Sequence, residues 1–142
     1  METEFTKLFP DAVIHGEWDS EPDELAFEHL GYPCLIVRNT RMFEKLGFKK
    51  GHLCGYLGVP AGHPWHGKGY DDVGANVHGG LTYDGDHAPT KEPDGNWWVG
   101  FDCAHLGDIV PGMKDFGEST YKNMEFVTKE LHSLAAQADK AK

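Results

Sequence analysis

The sequence has few cysteines and no long hydrophobic run. Its three cysteines, Cys34, Cys54 and Cys103, are an odd number with no Cys-x-x-Cys pair, which predicts free thiols in a reducing compartment. Apolar runs such as residues 34–37 are far shorter than the roughly 18 residues of a membrane-spanning helix. The first residues also lack the basic and apolar regions of a secretory signal. We therefore expect a cytoplasmic protein that does not enter a membrane.

Two catalytic motifs and an excess of positive charge are also missing. No Gly-x-Ser-x-Gly occurs, which excludes an α/β-hydrolase, and no Gly-x-x-x-x-Gly-Lys-[Ser/Thr] phosphate loop occurs. The net charge of −10 disfavours an extended nucleic-acid surface. That charge is uneven, because residues 1–30 carry nine acidic side chains and one basic one, whereas residues 31–142 sum to −2. Bulk charge therefore does not exclude a small phosphate-bearing ligand.

What is present predicts a single α+β domain over residues 1–142. The length of 142 residues fits one domain, and an aromatic content of 12% favours an ordered core. Capping residues from Ser20 to Asp23 predict a short N-terminal helix over 21–30, within the acidic segment 1–30. Helical spacing of apolar residues predicts an amphipathic helix over 120–138. Between them we expect a mostly antiparallel sheet of about four strands, over residues 32–38, 53–59, 75–83 and 96–102.

The segment Val77-His78-Gly79-Gly80-Leu81-Thr82 is the first candidate for a site. In a strand, alternation would place His78 and Thr82 on one face. Paired glycines in a strand mark a bulge or the close approach of a ligand or backbone. A partly buried structural histidine beside a bulge is the alternative interpretation.

The segment from Trp97 to Asp108 is the second candidate. Alternation places Trp97, Val99 and Phe101 on a core face and Trp98, Gly100 and Asp102 on the other face. Asp102, His105 and Asp108 follow one another at intervals of three residues. Carboxylate and imidazole form the ligand set for zinc or manganese, and they also form a base with its orienting group. If strands 75–83 and 96–102 pair, a site of His78, Asp102, His105 and Asp108 becomes possible.

Two further groups carry polar chemistry. The glycine-rich loop over residues 60–72 contains His63, Trp65, His66 and Tyr70, and its aromatic rings could stack a planar ligand. A basic cluster could hold an anionic ligand, or it could be a solvated surface. Its members are Arg38, Arg41, Lys45, Lys49 and Lys50.

Motifs over residues 31–138 resemble a family of small proteins encoded by bacteriophages, prophages and bacteria. The resemblance is carried mainly by His-Gly-Gly-Leu-Thr at 78–82 and Gly-Phe-Asp-Cys-Ala-His at 100–105. The acidic residues 1–30 lie outside it. The resemblance implies a role in host defence or host metabolism and no particular reaction.

Together these patterns favour metal-dependent hydrolysis of a small, nucleotide-like substrate. A non-catalytic protein that sequesters such a ligand is the alternative, and an inhibitor of a host protein that uses the acidic segment is another. We expect a small-molecule ligand, and a homo-oligomer stays open. The predicted metal ligands, for zinc or manganese, are His78, Asp102, His105 and Asp108. The predicted catalytic groups are His63, His66 and Asp102, and the predicted ligand-binding residues are Trp65, Tyr70, Thr82, Trp98 and Arg38.

Overall fold

A computed structural model describes residues 11–41, 43, 50–115 and 117–142. Over these residues five strands form one antiparallel sheet, in the order β1-β2-β3-β5-β4. The strands are β1 (Glu24–His29), β2 (Tyr32–Arg38), β3 (Leu53–Val59), β4 (Tyr83–Gly85) and β5 (Trp97–Asp102). The helices are α1 (Tyr70–Val73) and α2 (Met124–Ala141), and a 3-10 turn spans Glu17–Ser20. The structure therefore confirms the predicted α+β class, the antiparallel sheet and the C-terminal helix.

One face of the sheet packs against α2. Helical residues such as Val127 and Leu131 are buried in the same apolar core as Phe101 on β5. The helix packs close to the sheet at Gly55, where an added Cβ would lie 2.7 Å from the Phe101 ring and 3.1 Å from Val127. Glycine is therefore needed in the middle of β3 to let the helix pack.

The opposite face of the sheet is covered by the segment between β4 and β5. Leu35 and Trp98 form a smaller buried cluster there with Ala88 of that segment. Asp102 ends β5 on this second face, as the alternation in the sequence predicts. Cys34, Cys54 and Cys103 are free, buried thiols, and burial raises the pKa of Cys34 and of Cys54 to about 12.

The predicted helix over 21–30 is wrong, because β1 occupies residues 24–29 and pairs with β2. Leu30 and Gly31 both have positive φ, at 53° and 86°, and two such residues form the tight turn of a β-hairpin. Gly31 therefore closes a hairpin instead of ending a helix.

The predicted strand over 75–83 is also wrong, since only Tyr83 of that range lies in a strand. The amide of Gly80 donates to the carbonyl of Val77 at 2.9 Å, which closes a turn over 77–80. Gly79 and Gly80 adopt φ of 70° and 81°, a conformation that a strand does not contain.

The described part of the acidic segment is built into the fold. Carboxylates of Glu21 and Asp23 pair with Arg38, Asp19 pairs with Lys50, and Glu21 accepts from the amide of Met124 at the start of α2. These side chains are therefore internal partners of the sheet and the helix, which removes the basis for a free acidic arm over residues 11–24.

Candidate functional site

Histidine and carboxylate side chains from separate segments meet at one end of β5. His78 comes from the turn over 77–80, Asp102 ends β5, and His105 and Asp108 lie in the following loop. The rings of His78 and His105 meet edge to face, with centroids 5.8 Å apart. The structure thus brings together the four residues that the sequence analysis grouped as metal ligands.

Asp108 is the most buried member of this group, with its side chain 1% exposed. Its carboxylate accepts from His78 Nε2 at 2.8 Å and from the backbone amide of His105 at 3.0 Å, and it lies 3.1 Å from Lys122 Nζ. Burial alone would raise the pKa of this carboxyl, but these contacts outweigh burial and hold the pKa below its ordinary value. Asp108 therefore ties the turn, the loop and the segment before α2 together as a carboxylate.

Asp102 forms a second pair with His105. Its Oδ1 lies 3.1 Å from His105 Nε2, and its Oδ2 accepts from the hydroxyl of Thr82 at 3.1 Å. Among the described residues, His105 Nε2 is buried without a well-aligned hydrogen-bond partner. Buried polar atoms usually have a hydrogen-bond partner, so an atom without one calls for a structural or functional explanation. Thr82, a predicted ligand-binding residue, is exposed, and its hydroxyl orients the Asp102 carboxylate.

Gly79 allows the His105 ring to occupy this position. A Cβ added at Gly79 would lie 2.2 Å from both Nε2 and Cδ2 of His105, and Gly79 has φ of +70°. Real Cβ contacts are never so short, so the ring rests directly on the glycine backbone. The paired glycines therefore mark a close approach, as predicted, although it occurs in a turn.

Sequence reasoning missed His52 and Lys122. His52 precedes β3, and the pairing of Cys54 with Asp102 places it across from the start of the loop that carries His105. Burial lowers the pKa of His52, while the charges of Asp102 and Asp108 act in the opposite direction without cancelling that effect. The β3–β5 register was the signal that would have found His52, and it cannot be read from one sequence. We call His52, His78, Asp102, His105 and Asp108 the histidine cluster.

Three members of the histidine cluster, His52, His105 and Asp108, line a cavity of about 450 Å³, which we call the histidine hollow. Asn39 and Arg41 also line it. Its apolar lining is Phe43, Leu106, Val110 and Met113. Its volume is within the range of small-molecule sites.

The arrangement does not resemble a ready metal site. Within residues 11–41, 43, 50–115 and 117–142, no three His, Cys, Asp or Glu side chains are placed to hold a metal ion. The physical reason is that the donors face each other: the Asp108 carboxylate already contacts His78 and Lys122. A cation bound there would have to displace those partners.

His63 and Trp65 have structural positions. The His63 ring is buried, with Nε2 2.8 Å from the carbonyl of Ala138 and Nδ1 accepting from the Trp65 amide at 3.0 Å. Both ring nitrogens are thus occupied, which removes His63 as a proton carrier. Trp65 is 5% exposed and belongs to the main core, so it is not available to stack a ligand.

Three other predicted site residues have no contact with the histidine cluster among the described residues: His66, Tyr70 and Trp98. His66 is exposed and lies 3.1 Å from the carbonyl of Gly95. Tyr70 is 39% exposed at the start of α1. Trp98 is buried on the second face and donates to Asp94 at 3.1 Å. Trp98 therefore packs the fold, which corrects its predicted role in ligand binding.

Arg38 is committed to the fold as well, which corrects its predicted role in ligand binding. Its guanidinium donates to Asp23 at 2.8 Å, to Glu21 at 3.2 Å, to the carbonyl of Gly51 at 3.0 Å and to the hydroxyl of Tyr121 at 3.1 Å. Lys50 is buried and paired with Asp19. Lys45 and Lys49 lie outside the described residues. Arg41 is the described member of the basic cluster that is left exposed.

Comparisons with models of known protein families, with curated proteins and with solved structures return no significant match to this chain. In the part of the chain that the structure describes, no helix has both the length and the apolar character needed to cross a membrane. A functional assignment therefore rests on the geometry of the histidine cluster and its hollow.

Proposed function

We propose that the protein is a small hydrolase that uses histidine acid–base catalysis on an anionic ester, such as a phosphoester, bound in the histidine hollow. The observation that carries the proposal is that His52, His105 and Asp108 line the same cavity, which is of small-molecule size. Titratable groups with perturbed pKa values beside a cavity are typical of functional sites.

In this proposal His52 is the general base and His105 the general acid. The pKa of His52 is lowered, so the His52 ring is neutral at neutral pH and can accept a proton. Water bonds to phosphorus through its oxygen and gives a proton to His52, while the bond to the leaving oxygen breaks. His105 gives that oxygen a proton, and Asp102 Oδ1, 3.1 Å from Nε2, orients the ring. Exchange with solvent restores both histidines.

His78 and Lys122 are positioning residues in this scheme. Both contact the buried Asp108 carboxylate, and Asp108 in turn accepts from the backbone amide of His105. Removing His78 would loosen the loop that carries His105 without removing a group that touches the substrate.

The predicted metal-dependent reaction differs from this one in the source of the nucleophile. Water would then be activated by zinc or manganese held by carboxylates and imidazoles of the histidine cluster. The partners that Asp108 already has, His78 and Lys122, favour the metal-free form of the proposal. Comparing activity in EDTA with activity in added Zn²⁺ or Mn²⁺ decides between the two forms.

The test is a turnover screen with bis(p-nitrophenyl) phosphate, p-nitrophenyl phosphate and a panel of nucleotides, with EDTA or with added Zn²⁺ or Mn²⁺. We expect activity in EDTA with a bell-shaped dependence on pH. His52→Gln and His105→Asn should each lower kcat by about 10²- to 10⁴-fold. The matched control is His15→Gln, since His15 is 85% exposed and pairs with Asp19, and it should retain full activity.

Two results would contradict the proposal. The first is no turnover by the wild-type protein of any substrate under any metal condition, which would leave a binding protein. The second is turnover that His52→Gln and His105→Asn leave unchanged. Activity that appears only with Zn²⁺ or Mn²⁺ would replace the metal-free mechanism with the metal-dependent one.

A further inference from the structure

A second cavity, of about 480 Å³, lies on the second face of the sheet. Tyr56 and Tyr83 line it, with ring centroids 5.2 Å apart in an edge-to-face arrangement, and His87, Pro89 and Thr90 close it from the segment after β4. We call it the aromatic hollow. The Tyr56 ring lies directly over Gly100, where a Cβ would be 2.4 Å from the ring. The two tyrosines thus form a fixed aromatic wall.

The aromatic hollow and the histidine hollow share two lining residues, Asn39 and Arg41. The backbone amide of Arg41 donates to the side chain of Asn39 at 3.2 Å, which fixes this junction. A ligand that spans the junction would have one end against the tyrosines and the other beside His52 and His105.

The charges around the aromatic hollow orient such a ligand. Asp84 and Asp86 lie near Tyr83, where their charges act on its hydroxyl, so an anion is disfavoured beside Tyr83. Arg41 is exposed, and no ion pair joins it to any residue in the described ranges. Arg38 also lines the hollow, but its guanidinium is already paired with Glu21 and Asp23. The anionic group of a ligand is therefore favoured at Arg41, at the junction.

From this arrangement we infer that the substrates are nucleotides, with the base in the aromatic hollow and the phosphate at Arg41, within reach of the histidine cluster. The inference rests on the proposed function for the reaction, and it adds the substrate class. Aromatic side chains bind bases through stacking or edge contacts, and arginine matches the geometry of phosphate oxygens.

Isothermal titration calorimetry with AMP, adenosine, ribose 5-phosphate and inorganic phosphate tests the inference without requiring turnover. AMP should bind at least about tenfold more tightly than any fragment, because only AMP meets both the tyrosines and Arg41. Arg41→Gln should weaken AMP about ten- to a hundredfold, the range of a charge-assisted contact, and should leave adenosine unchanged. Tyr83→Leu should weaken both AMP and adenosine.

The matched control for charge is Lys129→Gln, since Lys129 is 74% exposed on α2 and pairs with Glu125, and it should leave AMP binding unchanged. Thermal unfolding of each variant checks that the fold is kept. Equal binding of AMP and inorganic phosphate, or AMP binding that Arg41→Gln leaves unchanged, would overturn the inference.

The outcomes also separate this inference from the proposed function. AMP binding that depends on Arg41 and Tyr83, in a protein that hydrolyses nothing, would support the ligand class and refute the hydrolase. Hydrolysis of p-nitrophenyl esters that depends on His52 and His105, without preference for nucleotides and without AMP binding, would support the hydrolase and refute the ligand class.

Discussion

The substitution Gly79→Ala should displace His105 while leaving the rest of the fold in place. The new Cβ would lie 2.2 Å from His105 Nε2, whereas ordinary contacts are 3.4–4 Å. The ring must therefore move by more than an ångström, and its 3.1 Å contact with Asp102 would be lost. Alanine at φ of +70° also costs about 1–2 kcal/mol of stability.

Gly80→Ala is the matched control, because Gly80 has φ of +81° and open space around its Cβ position. Both variants should lose the same 1–2 kcal/mol from backbone strain, and only Gly79→Ala should lose more. The moved ring adds a strained side chain and a broken ion pair, so we expect a total of about 2–4 kcal/mol. Urea unfolding gives both free energies.

The histidine signals in two-dimensional NMR spectra give the second measurement. In Gly79→Ala the resonances of the His105 ring should shift, and in Gly80→Ala they should stay as in the wild type. If the two variants lose equal stability and show the same His105 signals, Gly79 is not required for the close approach of the His105 ring. That result would refute our account of this turn.

Other parts of the fold give three further expectations. Arg38→Met should cost about 3–5 kcal/mol in urea unfolding, because it leaves the carboxylate of Glu21, 13% exposed, without its cationic partner; a loss below about 1 kcal/mol would contradict the buried network. Burial and the neighbouring His29 lower the pKa of His132, so the unfolded chain binds the proton first. Stability should be full above about pH 6.5 and fall as pH drops through the lowered pKa; His132→Gln should flatten that decline, and an unchanged profile would refute it. Deleting residues 1–30 removes β1 and should abolish cooperative unfolding by circular dichroism, whereas a domain that stays folded would show that the edge strand is dispensable.

The elements that could be predicted are those with a strong local pattern. Strands β2 and β3 have the predicted bounds, residues 32–38 and 53–59, and α2 overlaps the predicted helix over 120–138. Each has either a run of β-forming residues or apolar residues at helical spacing, so neighbouring residues alone favour the observed structure.

The β1–β2 hairpin could not be predicted from local signals because two interpretations fit them. Ser20 and Asp23 match a helix cap, and Gly31 matches a helix end. Pairing with β2 decides for the strand, and this pairing depends on residues beyond the turn. Tertiary pairing has overridden a local helix signal here.

The candidate site was predictable where its residues are close in sequence. Asp102 ends β5, and His105 and Asp108 follow it closely. His78 lies beside paired glycines, which by themselves indicate a candidate site. His52 and Lys122 join them only through the strand register and through the segment that leads into α2. Whether a side chain is exposed enough to contact a ligand was not predictable either. Trp65 and Arg38 are residue types that often bind ligands, but both are buried in the fold.

The three buried thiols can report how the sheet opens during unfolding. Cys34 lies on β2, Cys54 on β3, and Cys103 follows β5, so they sample the three adjacent central strands of the sheet. With their thiolate forms suppressed by burial, alkylating reagents should react only when the strand that carries each thiol separates from its neighbours. The order in which the three positions are labelled would then show whether the sheet opens from its β1 side or comes apart as a unit.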